Sequence, residues 1–313
     1  MAGTTRRLLA VACVLLVVAG CTPGEQDERP PVDAESLRAE LRQDRTQYAD
    51  RTAAVRVVNE GAAPLTLFGG ALDAPGFGPS SPDGDHPARS VPPGSGRDVR
   101  IRLGDVDCDA PPPEAATGAA ATTTEVATAT VTVATGEDAA EGDGTEVILG
   151  VTDPLGRLAT VHAEVCAERL VATGVRLRVT RVEPATVGGR GGDGSGSEGE
   201  AGEPGGRVTL AVEPVPGGPE VSLVRVAGTT LLSPAGAVAW TGDALAGQAE
   251  GAVVLDVVPA RCDPHAVGED KRGTFLPVTA EVDGVRQPVV YVPMSDAQRA
   301  AVYDLVHDAC GWD

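Results

Sequence analysis

The densest run of chemically capable side chains in this chain is Arg261-Cys262-Asp263-Pro264-His265-Ala266-Val267-Gly268-Glu269-Asp270-Lys271-Arg272-Gly273. It packs an imidazole, acids, bases, a cysteine and a turn-forming Asp-Pro closely together. Two chemistries suit those types. Asp263, His265 and Glu269 could ligate a metal, or Arg261, Asp263, His265, Glu269, Asp270, Lys271 and Arg272 could form a polar loop that grips a partner or ligand. One histidine with nearby carboxylates is not a closed ligand set. The expectation is therefore a charged loop bonded to itself and to backbone, with partner binding as its functional alternative and no metal.

Other candidates carry less. Asp138, Glu141 and Asp143 before Gly144 suggest calcium, but the D-x-D-x-D-G spacing is absent, so an exposed acidic turn is expected. The glycines from Gly188 to Gly196 are followed by no G-K-[ST] and make no phosphate loop. Neither G-x-S-x-G, H-E-x-x-H nor S-x-x-K occurs. His86 falls in a Pro- and Asp-rich loop, His162 in an expected strand and His307 on an expected terminal helix. Nothing singles out one of them as a catalytic base, so no enzyme and no cofactor are expected.

The cysteines speak to location. Arg6 and Arg7 precede an apolar run from Leu8 to Val18, and Val18-Ala19-Gly20-Cys21 fits the lipobox. These residues resemble those of bacterial lipoprotein precursors. The resemblance implies a signal peptide over residues 1–20, lipid on Cys21, and anchorage on the outer face of the cytoplasmic membrane. Two acyl chains hold a protein there stably; the apolar run itself is too short to span. With Cys13 in the signal, Cys108, Cys166, Cys262 and Cys310 remain. An even number in an exported chain reads as disulfides, and spacing alone leaves three pairings open.

Composition narrows the partners. The formal net charge is -20, and removal of the signal takes away two arginines and no acids. Such a surface is repelled by nucleic acid and by anionic lipid. A nucleic-acid partner is therefore not expected; the membrane is met through lipid on Cys21, and other contacts would be an envelope protein or a wall polymer.

These residues must be positioned by short strands. After a polar tether (21–33), the stretch 34–52 suggests a short helix, since Leu37 and Leu41 lie four apart with no Pro or Gly between. Period-2 alternation follows: Val55 and Val57, Leu65-Thr66-Leu67, then Val99, Ile101 and Leu103 leading to Cys108. Thr124 to Thr135 and Val147 to Val151 read as strands, Asp153-Pro154-Leu155-Gly156 as a turn, and Leu158 to Val165 as a strand running into Cys166. The second half retells this order, with Val208 to Val212, Val221-Ser222-Leu223, and Val253 to Val257 leading to Cys262. Ser295 and Gln298 form a capping box before the stripe Ala297, Ala301, Leu305, Val306, so a terminal helix is expected. Residues 187–206 are Gly, Ser and acid, and read as disordered.

The simplest reading is mainly β: two tandem β-sandwich domains, 53–170 and 171–313, with a short C-terminal helix. Each would hold one disulfide, Cys108–Cys166 and Cys262–Cys310, worth roughly 4 kcal/mol apiece in the chain-entropy model. Val57-Val58-Asn59-Glu60-Gly61-Ala62-Ala63-Pro64-Leu65-Thr66-Leu67 resembles the opening strands of immunoglobulin-like surface domains. The run from Arg261 resembles uncharacterised lipoproteins of high-GC Gram-positive bacteria, a likeness that brings no activity with it. The function expected is a non-catalytic binding or structural module at the cell envelope. The alternatives are a solute-capturing accessory of a transporter and a cell-wall hydrolase.

Overall fold

The computed structural model describes residues 31–313 apart from 45, 46, 49, 86, 115–122, 189–201, 269–271 and 313. The expected signal peptide, Cys21 and residues 22–30 of the tether lie outside the described residues. The architecture is mainly β, with several sheets and a C-terminal helix.

In the first half, alternation of small β-branched and polar residues produces β1 (Leu37–Arg42), β2 (Thr52–Asn59), β3 (Leu65–Asp73), β4 (Ser81–Pro82), β5 (Arg89–Val91), β6 (Gly96–Arg102), β7 (Glu125–Thr135) and β8 (Thr145–Thr152). They form one 8-stranded sheet in the order β4-β6-β2-β1-β8-β7-β3-β5. Its ends meet, β3 lying against β4 and β6, so the sheet wraps a core that includes Leu41, Val55, Ile101, Val131 and Val151. Asn59 fastens the turn after β2: its buried amide donates to the carbonyls of Ala63 at 2.8 Å and Val91 at 2.9 Å.

The expected helix over 34–52 is absent. A single 3-10 turn at Ala34–Ser36, capped by Asp33, gives way to β1, which pairs antiparallel with β2 and parallel with β8. Leu37 and Leu41 suit a helix, but with Ala39 between them they also alternate, and tertiary pairing decides. Arg38, Glu40 and Arg42 then face outward as a ladder, with Glu40 3.2 Å from Arg38 and 3.1 Å from Arg42.

A second correction concerns residues 158–165, which are helical rather than extended. They belong to α1 (Arg157–Gly174). The Asp153–Gly156 turn launches it, and the Asp153 carboxylate accepts the Leu158 N–H at 2.8 Å, satisfying one of the free donors of the first turn. Leu158 packs into the first core, Val161 and Val165 into a small cluster with Val106, and Ala167 and Val171 into the second core. The division expected at 170/171 therefore falls inside one helix shared by both halves, and residues 31–313 cluster as one compact unit.

The second half comprises β9 (Val175–Val187), β10 (Glu203–Pro214), β11 (Val221–Ala227), β12 (Leu232–Pro234), β13 (Ala239–Trp240), β14 (Ala252–Pro259), α2 (Pro264–Gly268), β15 (Phe275–Val282), β16 (Val285–Arg286), β17 (Val290–Pro293) and α3 (Asp296–Cys310). One sheet runs β12-β14-β10-β9, the other β13-β11-β15-β16 with β17 on the far side of β15. Leu210 and Leu255 from the first meet Leu223, Leu276 and Val278 from the second in one core, and α3 adds Val302, Leu305 and Val306. Order reaches into the segment expected to be disordered: Val187 is in β9, and Glu203 to Gly206 pair with Val187 to Pro184. Gly206 suits the close packing there, since a Cβ would stand 2.7 Å from the Glu183 carbonyl oxygen and press on Leu305 of α3. The capping box forms as expected, with the Gln298 side chain accepting from Ser295 N at 2.8 Å and donating to the Val179 carbonyl at 2.8 Å.

The disulfides join Cys108 to Cys166 and Cys262 to Cys310, with Cα–Cα distances of 5.5 and 5.4 Å. Each ties a loop that follows a strand to a helix: Cys166 lies within α1 and Cys310 ends α3.

Candidate functional site: an arginine-centred cleft

The charged run of the sequence divides in space. Glu269, Asp270 and Lys271 lie outside the described residues. Arg261, Asp263 and His265 are exposed, and Asp263 uses its carboxylate to accept the His265 N–H at 3.0 Å, opening α2. That bond is local, made within the loop itself. Arg272 behaves differently.

Arg272 precedes β15 and turns inward, where three elements meet. Its guanidinium carbon lies 4.1 Å from the ring centroid of Tyr291 (β17) and 4.9 Å from that of Tyr48, in the loop between β1 and β2. From α1, Glu164 supplies a carboxylate 3.1 Å from its Nη2. Only a quarter of either charged side chain is exposed, 25% and 24%, so the pair is screened less than a surface bridge. A planar guanidinium can stack on both rings while its edge meets the carboxylate; a lysine could not do both. Arg157, at the start of α1, also lies over Tyr48 at 5.1 Å.

Around this hub is a cleft of about 170 Å³. Val161, Val165, Phe275 and Pro293 add apolar lining, and Arg51 with Glu168 forms an exposed ion pair at 2.6 Å. The cleft thus offers aromatic faces, one partly buried cation and an exposed ion pair on its rim. It draws on both halves and on the shared helix.

Sequence reasoning named Arg272 but missed Tyr48, Glu164 and Tyr291. One signal was available: the chain has only three tyrosines, and two of them meet here.

Other candidates settle as follows. Glu141–Asp143 is a 3-10 turn in which the Asp143 carboxylate accepts the Ala140 N–H at 3.0 Å, and Asp138 is exposed. Among the described residues no group of three or more His, Cys, Asp or Glu could hold a metal ion. His162, expected in a strand, is buried on α1. His307 lies on α3, exposed, 3.1 Å from Asp308. His86 is outside the described residues.

No protein-family model matches the chain, and no curated protein matches it significantly. Among solved structures it is similar to the CsuC–CsuE chaperone–tip adhesion subunit pre-assembly complex from archaic chaperone-usher Csu pili of Acinetobacter baumannii. Identity is 8%, over 79% of this chain and 93% of that chain, with a TM-score of 0.18. A score that low does not equate the two folds.

Proposed function

We propose that the chain is a non-catalytic binding module of the cell envelope, lipidated at Cys21, held on the outer face of the cytoplasmic membrane, and gripping a protein partner through the cleft around Arg272. The lipobox supports the address, and two disulfides suit an oxidising compartment. The observation that carries the binding role is the convergence of Tyr48, Tyr291, Arg272, Glu164, Arg51 and Glu168 on one recess. Tyrosine and arginine with a polar rim are the residue types enriched where proteins anchor one another. At about 170 Å³ the recess is smaller than the ~300–1,000 Å³ that encloses a small molecule, which favours surface contact over solute capture.

The test is in-cell crosslinking of the membrane-bound protein. The Arg51→Ala/Glu168→Ala variant alters the rim without touching the core and should lose a recurrent partner that Asp263→Ala/His265→Ala retains. The reverse pattern would move the binding surface to the Arg261 loop. Cys21→Ala should leave the protein in the unanchored fraction, and a variant that still sediments with membranes would sink the lipid anchor.

A further inference from the structure

We propose that Cys108–Cys166 is a site of thiol–disulfide exchange whose substrate is a dithiol reductant, whereas Cys262–Cys310 is a structural crosslink. The inference does not rest on the cleft. It rests on what surrounds each pair of sulfurs.

α1 spaces His162, Cys166 and Arg169 at i, i+4 and i+7, along one face. His162 is buried, and its Nε2 lies 3.0 Å from the Asp107 carbonyl oxygen. A carbonyl only accepts, so Nε2 carries the hydrogen and donates. The other nitrogen, Nδ1, is thereby turned to the Cys166 Sγ at 3.8 Å. The ring is held in that pose by the edge of Phe77, 6.0 Å between centroids. Gly76, at φ +75, makes room for it: a Cβ there would stand 2.9 Å from the imidazole. On the other sulfur, Arg169 Nη1 lies 3.9 Å from Cys108 Sγ and donates to the Val106 carbonyl. Cys108 is exposed and Cys166 half-buried.

This is an arrangement for displacement in a fixed direction. An incoming thiolate meets the exposed Cys108 sulfur, drawn by the Arg169 charge. The S–S bond breaks as the new one forms, and its electron pair leaves on Cys166. The attacking thiol has already given its proton to water; the departing Cys166 sulfur takes a proton from water in return, relayed through His162 Nδ1 beside it. The reductant's second thiol, giving its proton to water, then attacks its own sulfur in the mixed disulfide and frees Cys108, which leaves as a thiolate beside Arg169 and takes a proton back from water. The dithiol ends as a disulfide, the cystine as two thiols, and two electrons have moved. A cationic or proton-donating neighbour stabilises a leaving thiolate and speeds such exchange.

The second disulfide is exposed to the same degree, Cys262 exposed and Cys310 half-buried, but its polar neighbour is of the opposite kind. Cys310 Sγ lies 3.9 Å from the carbonyl oxygen of Arg261, whose partial negative charge opposes a thiolate. The Trp312 indole N–H donates to the Cys262 carbonyl at 3.2 Å and pins the chain on that side.

Limited reduction of the full chain with dithiothreitol, quenched by alkylation and read by peptide mass, tests the proposal. Cys108 and Cys166 should become alkylated on the order of tenfold faster than Cys262 and Cys310. His162→Gln and Arg169→Gln should each slow the first pair and leave the second unchanged. Equal rates for the two disulfides, or faster opening of the second, would overturn it. So would an Arg169→Gln protein in which the first pair opens as fast as before. If His162→Gln unfolds, both disulfides will open faster together, and Arg169→Gln, a change at an exposed residue, then decides alone.

Discussion

The helices that carry the closing cysteines, α1 and α3, do different jobs with similar parts. Both bury an apolar stripe and both are stapled to a loop that follows a strand. α3 lies entirely on its own half, its buried residues all joining the second core. α1 places Leu158 in the first core, Val161 and Val165 in a cluster between, and Ala167 and Val171 in the second. One is a cover; the other is a spine. The difference shows why the two halves, one 8-stranded sheet and a pair of smaller sheets, form one compact unit: the joint between them is itself core. It also sets the first disulfide, with its histidine and arginine, on the helix that presents Glu164 to Arg272.

The sharpest way to break this comparison is Ala163→Pro in the middle of α1. Loss of an intrahelical bond and the ring's clash with the preceding turn should cost about 3 kcal/mol or more. Amide exchange should then quicken in both β2 and β15. Quickening in one half alone would show that α1 is not shared. Arg272→Ala comes next. It leaves Glu164 half-buried without its partner and removes two aromatic stacks, for a loss of about 1–2 kcal/mol in thermal unfolding. Arg272→Lys should recover only part of that, because an ammonium cannot stack and bridge together; full recovery would deny the stacking any part. The smallest effect belongs to the cover. Ser295→Ala should cost about 1 kcal/mol by opening the capping box, with faster exchange confined to α3 and its neighbours.

Much of the β framework was legible because period-2 alternation is a strong signal where small β-branched residues dominate. β2, β3, β6, β7, β8, β10, β11 and β14 all fall on the strand runs read from sequence, with Leu103 and Thr124 just outside β6 and β7. The terminal helix announced itself through Ser295 and Gln298. Two elements were misread, for related reasons. Leu37 and Leu41 satisfy helix and strand periods alike, and only the pairing of β1 with β2 and β8 chooses between them. Leu158, Val161 and Val165 have helical spacing, but Val161, Ala163 and Val165 also alternate with Thr160, His162 and Glu164, which satisfies the strand period as well. The cleft was legible in one residue, Arg272. Its partners Tyr48, Glu164 and Tyr291 come from distant segments, and no local pattern encodes their meeting. His162 illustrates the same limit: its environment is made by Gly76, Phe77 and Asp107, and none of these is near it in sequence.

The place of β1 in its sheet bears on how the chain reaches this form. Among the described residues β1 is the first strand to emerge as the chain is made or exported, yet it sits in the interior of the sheet, between β2 and β8. Its hairpin with β2 can close early. The opposite edge has no partner until residues 145–152 have been made, and Thr152 must find the Ala39 carbonyl across 113 residues. Until then the nascent sheet keeps an open edge at its centre, the kind of surface on which strands of other chains add. Closure is a long-range event and therefore slow compared with any hairpin in the molecule. A truncated product that stops short of β8 would consequently be more than an incomplete protein: it would be a template for aggregation.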